Sequence, residues 1–372
     1  MVKLKNCNIQ NFSQIIKYKR LFCFGSGRQA EGLFVKYKML HLEETLCGFI
    51  DNDKRKQGTR KLIGGRKIPI YSFDEFVEMV DAETIVLTTS TYCPYMIEQM
   101  DRENALDGLP CYIDFLVENT YSIQEIQWKK NGEMKIPKTI HYCWFGKNPI
   151  PDAFCKYMQT WQNKCPDYQI VRWDESNYDV NNSDYIREAY KHKKWAFVSD
   201  FARLDIIYRY GGIYLDTDVE LLKNLDSLLY DEFFCGFEQN NYVNFGLGFG
   251  AVKGHPIVEN LLRRYQKMKF ELEDGSLNET ACAVFQLEEI QNQGFQTENR
   301  FQRQNSCALY PSEVFAPHDL LGLQSFITEN TVSIHHYSST WWNKSAEISM
   351  DYLRTKLKEY RERIENYADK RC

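Results

Sequence analysis

Three features are missing from this 372-residue sequence, and each absence excludes a class of protein. No apolar run approaches the roughly 18 residues that a membrane-spanning helix needs, so we expect no integral membrane protein. Basic residues are not in excess, since 46 Lys and Arg stand against 51 Asp and Glu, and the net charge of −5 offers no basic face to nucleic acid. The 12 cysteines include no C-x-x-C pair, so we expect neither a zinc site nor a disulfide framework.

The first residues, Met1 to Asn6, also lack the apolar core of a secretory signal. We therefore expect a cytoplasmic protein with reduced thiols, whose association with a membrane would be peripheral and at its inner face. Hydrophobic residues make up 43% of the chain and aromatic residues 15%, which favours a globular protein with a large core. At about 150 residues per domain, the length predicts two domains.

Short apolar runs alternate with helical patterns in the first third of the chain. The predicted strands are 21–24, 47–50 and 84–88, and the predicted helices are 28–40 and 73–80. The connections are short, which favours parallel pairing with right-handed crossovers. Residues 1–130 are therefore predicted to form a small Rossmann-like domain, with the boundary in the weakly patterned stretch from 119 to 138.

A second α/β unit is predicted for residues 136–372. Its elements include strands at 139–145 and 169–173, a helix at 199–210 and a closing helix at 351–370. Ser199 is a plausible N-cap of the middle helix, and Gly211 is its predicted stop. Asp200 and Arg203 are three residues apart, so they share one face of that helix.

A short strand at 213–215 then delivers Asp216 and Asp218. Because strand side chains alternate, both carboxylates point the same way, roughly 7 Å apart. Two carboxylates at this spacing can share Mg²⁺ or Mn²⁺ and leave open positions that a diphosphate can fill. The cation would neutralise charge on a departing diphosphate, while Asp200 and Arg203 hold a polar ligand.

These motifs resemble the DXD-type sugar transferases of glycosyltransferase family 32, which include yeast-type initiating mannosyltransferases and bacterial capsule enzymes. They are also similar to the catalytic core of the large clostridial glucosylating toxins. The resemblance runs from about residue 136 to residue 342 and rests on the separated segments 140–146, 200–203, 216–218, 244–251 and 334–341. It implies a GT-A-type α/β domain with a mixed central sheet, preceded by the smaller Rossmann-like domain.

The resemblance also implies a role for each matching residue. Asp216, Asp218 and His336 would hold the metal and the diphosphate. His335 and His336 alternate on a strand, so only one of them faces the site, and His336 is the expected one. The nucleotide-sugar contacts that it implies are Tyr142, Trp144 (stacked on the base), Asp200, Arg203, Ser338 and Trp341, and the acceptor-side candidates are Glu238, Gln239 and Asn244.

The implied reaction moves a hexose from a UDP- or GDP-linked sugar to a hydroxyl of a surface polysaccharide or of an oligosaccharide, including a lipid-linked one. The resemblance further implies retention of the anomeric configuration. One departure stands out, because residues 279–285 replace a Thr-Gly-Pro-like stretch that is common in the family. This departure affects the expected floor of the acceptor side and leaves the donor residues unchanged.

Two other interpretations remain open. Gly25-Ser26-Gly27 begins a G-x-G-x-x-A pattern, and Asp51 lies about 20 residues further on, as in dinucleotide-binding domains. An NAD-dependent enzyme that modifies sugar nucleotides would also need a Tyr-x-x-x-Lys pair after this domain, and residues 121–128 offer none. A binding protein with a degenerate transferase site is the other alternative, and the intact set of donor-site residues argues against it.

Overall fold

The chain divides into two compact units, seen in a computed structural model that describes residues 1–117, 125–318, 325–338 and 349–369. The first unit comprises residues 1–121 and 344–372, and the second comprises residues 122–343. Each unit has a seven-stranded sheet and a hydrophobic core of its own. The predicted α/β class is confirmed.

The sheet of the first unit is almost entirely parallel. Its strands are β1 (Lys3–Lys5), β2 (Arg20–Phe24), β3 (Leu46–Ile50), β4 (Arg60–Ile63), β5 (Arg66–Tyr71), β6 (Thr84–Thr88) and β7 (Pro110–Ile113). They lie in the order β1-β7-β6-β2-β3-β5-β4, and only β4 and β5 pair antiparallel. The β4–β5 hairpin turns through Gly64 and Gly65, whose positive φ angles of 54° and 82° suit glycine.

Five helices connect these strands, and two of them, α2 and α4, were predicted from the alternating pattern. They are α1 (Ile9–Ile16), α2 (Arg28–Lys36), α3 (Leu42–Thr45), α4 (Phe73–Met79) and α5 (Cys93–Asp101). The chain runs from β2 outward to β3 and β5, and then returns to place β6 on the other side of β2. The order therefore reverses beside the carboxyl end of β2, where Rossmann-like sheets bind ligands.

The Gly25–Gly27 loop follows β2 at this point. Asp51 accepts hydrogen bonds there from the backbone N–H of Ser26 at 3.0 Å and from Lys56 at 3.1 Å. The carboxylate expected to contact a ribose is thus engaged with the loop itself and with a lysine. Binding of a dinucleotide by this loop stays a prediction.

The second unit has the predicted mixed sheet. Its strands are β8 (Thr139–Cys143), β9 (Gln169–Trp173), β10 (Gly212–Tyr214), β11 (Val219–Leu221), β12 (Phe233–Gly236), β13 (Phe249–Ala251), β14 (Gln302–Gln304), β15 (Cys307–Tyr310) and β16 (Ser333–His335). Seven of them lie in the order β14-β15-β12-β13-β10-β8-β9, and β11 pairs separately with β16 in antiparallel fashion. β10 is parallel to β8 and antiparallel to β13, so the end of β10 is a central position.

The helices of the second unit are α6 (Asp152–Lys164), α7 (Asp184–Lys191), α8 (Trp195–Tyr210), α9 (Pro256–Gln266), α10 (Cys282–Asn292) and α11 (Ser312–Phe315). α8 begins at Trp195, so the prediction of Ser199 as its N-cap is wrong. Trp195 packs edge-on against Tyr190 of α7 at 5.1 Å, so the first turn of α8 is packed although it precedes the predicted cap. The stop at Gly211, with φ 69°, is confirmed.

The C-terminal helix α12 (Met350–Asp369) belongs to the first unit, which corrects the predicted domain of residues 136–372. Arg363 forms an ion pair with Asp101 at 2.8 Å and donates to the carbonyl of Val2 at 2.6 Å. Leu353 and Leu357 are fully buried. The helical spacing revealed this apolar stripe, but a stripe does not specify which surface covers it.

Every cysteine within the described ranges is a free thiol. In those same ranges, no helix combines the length and the apolar character needed to cross a membrane.

Candidate active site

Asp216 and Asp218 lie in a tight turn between β10 and β11. The turn is closed by the N–H of Val219, which donates to the carbonyl of Asp216 at 3.1 Å. The two aspartates therefore follow the strand instead of continuing it, and simple alternation does not describe them. Their carboxylates nevertheless converge, because both face the same imidazole.

That imidazole belongs to His335, the last residue of β16. Its Nε2 lies 3.3 Å from Asp218 Oδ1 and 3.9 Å from Asp216 Oδ2. The pairing of β11 with β16 places His335 opposite Val219, immediately beside Asp218. Ligand atoms of the three side chains all lie within 4.8 Å of one another, which makes Asp216, Asp218 and His335 a compact set of candidate metal ligands.

The next residue, His336, faces another group. Its Nε2 lies 2.9 Å from Glu220, and its ring stacks on Tyr157 with centroids 4.0 Å apart. The prediction that His336 faces the carboxylates is therefore wrong, and His335 takes that place. Alternation allows one of the two histidines to face the site, but the register of β16 against β11 decides which one.

The donor set suits a hard divalent cation, with one condition. Carboxylate oxygens are the ligands that Mg²⁺ and Mn²⁺ prefer. Nδ1 of His335 accepts the N–H of Tyr337 at 3.3 Å, so the neutral ring carries its proton on Nε2, toward Asp218. Asp216 and Asp218 thus fit a cation as they stand, whereas His335 fits one after its proton moves to Nδ1 and this bond is lost.

Arg203 joins the carboxylates of the turn to helix α8. Its guanidinium lies 3.0 Å from Asp200 Oδ1, as the three-residue spacing predicted, and 3.3 Å from Asp216 Oδ1. The hydroxyl of Tyr214 donates to the same oxygen of Asp216 at 3.0 Å, and Arg203 lies 4.9 Å above the Tyr214 ring. Asp200 and Arg203 are both buried. The four residues form one connected polar group.

These contacts shift the pKa values of the group in different directions. Burial raises the pKa of Asp200, and the charge of Arg203 only partly opposes it. Burial acts on Asp216 too, but the charge of Arg203 and the contacts with His335 and Tyr214 outweigh it and lower the pKa of Asp216. Burial opposes the charge of His335, yet Asp218 and Asp216 together raise the pKa of this imidazole.

The turn at Asn244 to Gly246 packs directly against Asp216. The N–H of Asp216 donates to the carbonyl of Gly246 at 3.2 Å, and any side chain at position 246 would clash with the Asp216 carboxylate. Asn244 accepts the N–H of Gly246 at 2.7 Å and donates to the buried carboxylate of Glu238 at 2.8 Å. Gln239, the remaining acceptor-side candidate, donates to the carbonyl of Pro317 at 2.7 Å.

The other residues predicted to contact the nucleotide-sugar donor lie in different parts of the second unit. Trp144 is half-buried just after β8, where its Nε1 donates to the carbonyl of Asn148 at 2.7 Å, and base stacking stays a prediction. Tyr142 packs edge-on against Trp161 in the core, and its contact with a ligand stays a prediction. The N–H of Ser338 donates to Asp218 Oδ2 at 2.8 Å. Trp341 lies outside the described residues.

Sequence reasoning gave no role to three residues of this arrangement, namely Tyr214, Gly246 and Gln286, and it chose His336 instead of His335. A signal existed for Tyr214, since it precedes Asp216 by two residues at the end of a strand. The tight approach of Gly246 and the hydrogen bond from Phe245 to Gln286 join parts of the chain whose contact no local pattern reveals.

Comparison with known proteins adds a family match over part of the chain. Residues 151–234 match the family described as "Glycosyltransferase sugar-binding region containing DXD motif". This segment includes Asp200, Arg203, Asp216 and Asp218, and it excludes His335. The match agrees with the resemblance found from the motifs.

Individual relatives are similar over shorter spans. The chain is 32% identical over 145 residues to inositol phosphoceramide mannosyltransferase 3 of Schizosaccharomyces pombe, which covers 38% of this chain and 40% of that protein. It is 30% identical over 110 residues to the initiation-specific alpha-1,6-mannosyltransferase of Candida albicans, covering 27% of this chain and 29% of that protein. The chain thus spans less than half the length of these relatives.

One solved structure with a partial likeness is the PaToxG glycosyltransferase. The likeness covers 46% of this chain and 81% of that one, at 18% identity and a TM-score of 0.30. The fold class of this chain therefore rests on its own sheet topology.

Proposed function

We propose that this chain is a metal-dependent glycosyltransferase that moves a hexose from a UDP- or GDP-linked sugar to a hydroxyl of a glycan or lipid-linked acceptor. The observation that carries the proposal is the convergence of Asp216, Asp218 and His335 beside the buried Asp200–Arg203 pair. The match of residues 151–234 to the sugar-binding region with a DXD motif supports the same activity.

Asp216 and Asp218 would hold Mn²⁺ or Mg²⁺, with His335 as the third ligand after its change of tautomer. When bound, such a cation neutralises the negative charge that develops on a departing diphosphate. While its ring carries the proton on Nε2, His335 instead offers a hydrogen-bond donor at the same place. Its raised pKa extends the pH range in which this donor is also positively charged.

Arg203 has a second role, which is to set the position of both acidic residues it contacts. It bridges the helix residue Asp200 and the turn residue Asp216, so the sugar-binding helix and the cation-binding turn move together. A rigid arrangement of charges costs little reorganisation when charge develops in the reaction. Asp200 would then accept a hydrogen bond from a hydroxyl of the donor sugar. This role suits a carboxylate whose pKa is raised by burial.

The donor and acceptor proposals draw on the relatives. Two of them are named mannosyltransferases, so a mannose donor is the first choice among hexoses. The name of the fission-yeast relative includes inositol phosphoceramide, a lipid-linked acceptor. We further propose that the anomeric configuration is retained, and that the chain works in the cytoplasm and meets lipid-linked acceptors at the inner face of the membrane.

A direct assay tests the proposal. The chain is incubated with a panel of UDP- and GDP-hexoses, with Mn²⁺ or with a chelator, and the released nucleoside diphosphate and free sugar are separated by chromatography. We expect cation-dependent release from one class of donor, faster when inositol phosphoceramide or a glycan is added as the acceptor. Failure of every donor to release its diphosphate in the presence of Mn²⁺ would refute the proposal.

A further inference from the structure

A buried glutamine on α10 holds the turn that packs against Asp216. Gln286 is 1% exposed, and its Oε1 accepts the backbone N–H of Phe245 at 2.9 Å. Helix α10 lies outside residues 151–234, so the family match assigns it no part in the site. The contact joins two segments that are about forty residues apart in the chain, because Gln286 and Phe245 are separated by 41 positions.

The backbone of Phe245 is connected to Asp216 through the next residue, Gly246. Phe245 lies between Asn244, whose side chain accepts the N–H of Gly246, and Gly246 itself, whose carbonyl accepts the N–H of Asp216. The approach at Gly246 leaves no room for a side chain, so the backbone of the turn lies directly against the Asp216 carboxylate. A displacement of the Phe245 backbone would therefore move the wall against which Asp216 rests.

The face of α10 that carries Gln286 also approaches α8, the helix that carries Asp200. Cys282 precedes Gln286 by four residues, so the two side chains lie on one face of α10. Burial and the nearby carboxylate of Asp200 raise the pKa of the Cys282 thiol, so this thiol lies beside Asp200. One helix face thus brings Cys282 next to Asp200 and holds, through Gln286, the turn that packs against Asp216.

The hydrogen bonding of Gln286 defines which way its amide points and what its burial contributes to stability. Its Oε1 must face Phe245, because an N–H donor needs an acceptor and the amide nitrogen cannot supply one. Its Nε2 is buried and has no hydrogen-bond partner within the part of the chain that the structure describes. A buried amide with one end unpaired adds little to the stability of the fold.

We propose that Gln286 is a positioning residue for sugar transfer, which acts through Phe245 and Gly246 to hold Asp216 in place. The proposal rests on the proposed function, since it concerns the same site. It predicts an unusual combination of effects: loss of Gln286 lowers the rate of the reaction while the stability of the fold changes little.

Three variants test it. Gln286→Met has a similar length and no acceptor for Phe245, whereas Gln286→Glu keeps an acceptor oxygen. Gln293→Met is the matched control, because it makes the same substitution of Met for Gln at an exposed position just after α10. Each is compared with wild type for kcat and KM of donor hydrolysis with Mn²⁺, which needs no acceptor, for Tm, and for amide hydrogen exchange in residues 244–250.

We expect Gln286→Met to lower kcat by about tenfold to a hundredfold, the scale of a small misplacement of a reacting group, and to change KM less than kcat. Its Tm falls by at most a few degrees, because the buried N–H of Phe245 is left without an acceptor while the cost of the unpaired Gln286 amide is removed. Exchange in residues 244–250 becomes faster, and Gln293→Met behaves as wild type.

Gln286→Glu supplies a second readout. A protonated carboxyl accepts the Phe245 N–H without adding charge, so the kcat of this variant relative to wild type should rise as the pH falls. The ratio for Gln286→Met should stay flat over the same range.

Three results would each overturn the positioning role. The first is a wild-type kcat in Gln286→Met, and the second is unchanged hydrogen exchange in residues 244–250. The third is a loss of activity matched by an equal loss of global stability. A wild-type chain that hydrolyses no donor would refute the function itself. Exchange in residues 244–250 would still show in that case whether Gln286 holds the turn.

Discussion

His335 Nε2 lies 3.3 Å from Asp218 Oδ1, and this contact joins the end of β16 to the turn that follows β10. The backbone N–H of Ser338 binds the other oxygen of the same carboxylate at 2.8 Å. Asp218 is therefore held from two sides by residues that are distant in the sequence. Such a carboxylate is already oriented before a cation or a diphosphate arrives, which reduces the cost of reorganisation.

The first prediction concerns Asp218. Asp218→Asn keeps the size of the side chain and an oxygen for the Ser338 N–H, but it removes the charge that a cation needs. We expect turnover to fall by at least about a hundredfold, the scale seen when an electrostatic group of a site is removed. Circular dichroism and Tm should show an intact fold. Retained turnover with Mn²⁺ would contradict the assignment of the metal site.

The two adjacent histidines provide a matched pair of variants. His335→Gln removes the imidazole between the two aspartates, so the concentration of Mn²⁺ needed for half-maximal activity should rise. His336→Gln removes a ring that contacts Glu220 and Tyr157, and that concentration should stay unchanged. Titration of activity with Mn²⁺ measures both variants. The opposite order would restore His336 as the metal-site residue and refute the observed register.

The third prediction concerns Gly246, whose backbone lies against Asp216. Gly246→Ala places a methyl group into the Asp216 carboxylate, and overpacking of this kind costs about 1–3 kcal/mol of stability. Displacement of Asp216 should lower kcat by about a hundredfold.

Gly27→Ala is the control, because a methyl group there meets no atom within 4 Å and φ is −73°. We expect Gly27→Ala to keep full activity and to lose at most about 1 kcal/mol as a weaker helix cap. Equal kinetic effects of the two glycine variants would show that the contact with Asp216 is unimportant.

His141 gives the fold a dependence on pH. Its ring accepts from Trp173 Nε1 and donates to the carbonyl of Gly211, both at 3.0 Å, and burial lowers its pKa from 6.5 to about 4. Between those values the unfolded chain binds the proton and the folded chain does not, so stability falls as the pH falls. A shift of this size corresponds to about 3 kcal/mol.

Denaturant unfolding of wild type and His141→Phe at pH 7 and at pH 4.5 measures this contribution. The variant lacks two hydrogen bonds and should be the less stable protein at pH 7, but it should lose less stability on acidification. An equal loss in both proteins would show that His141 titrates normally.

Local pattern was enough to predict three of the seven strands of the first sheet, namely β2, β3 and β6, and it missed β1, β4, β5 and β7. The β6 prediction of residues 84–88 agrees with the structure, and α4 ends one residue before its predicted end. Short apolar runs bounded by turn residues define these elements without reference to distant parts of the chain. The Asp200–Arg203 pair was predictable for the same reason, because helix geometry alone brings the residues together.

Contacts between distant segments were not predictable in this way. The choice between His335 and His336 depends on the pairing of β16 with β11, and the position of α12 depends on which apolar surface its leucine stripe covers. In each case the sequence shows that a side chain has a partner, while the fold determines the partner.

Thermal unfolding with a panel of ligands tests the central claim most directly. The wild-type chain and Asp218→Asn are heated with UDP-, GDP- and CMP-sugars or with NAD, each with and without Mn²⁺. At a 100-fold excess over Kd, we expect one class of nucleotide sugar to raise the Tm of wild type by about 5 °C or more, only with Mn²⁺, and not to raise that of Asp218→Asn. A shift with NAD alone, independent of Mn²⁺ and equal in the variant, would contradict the account and place ligand binding in the first unit.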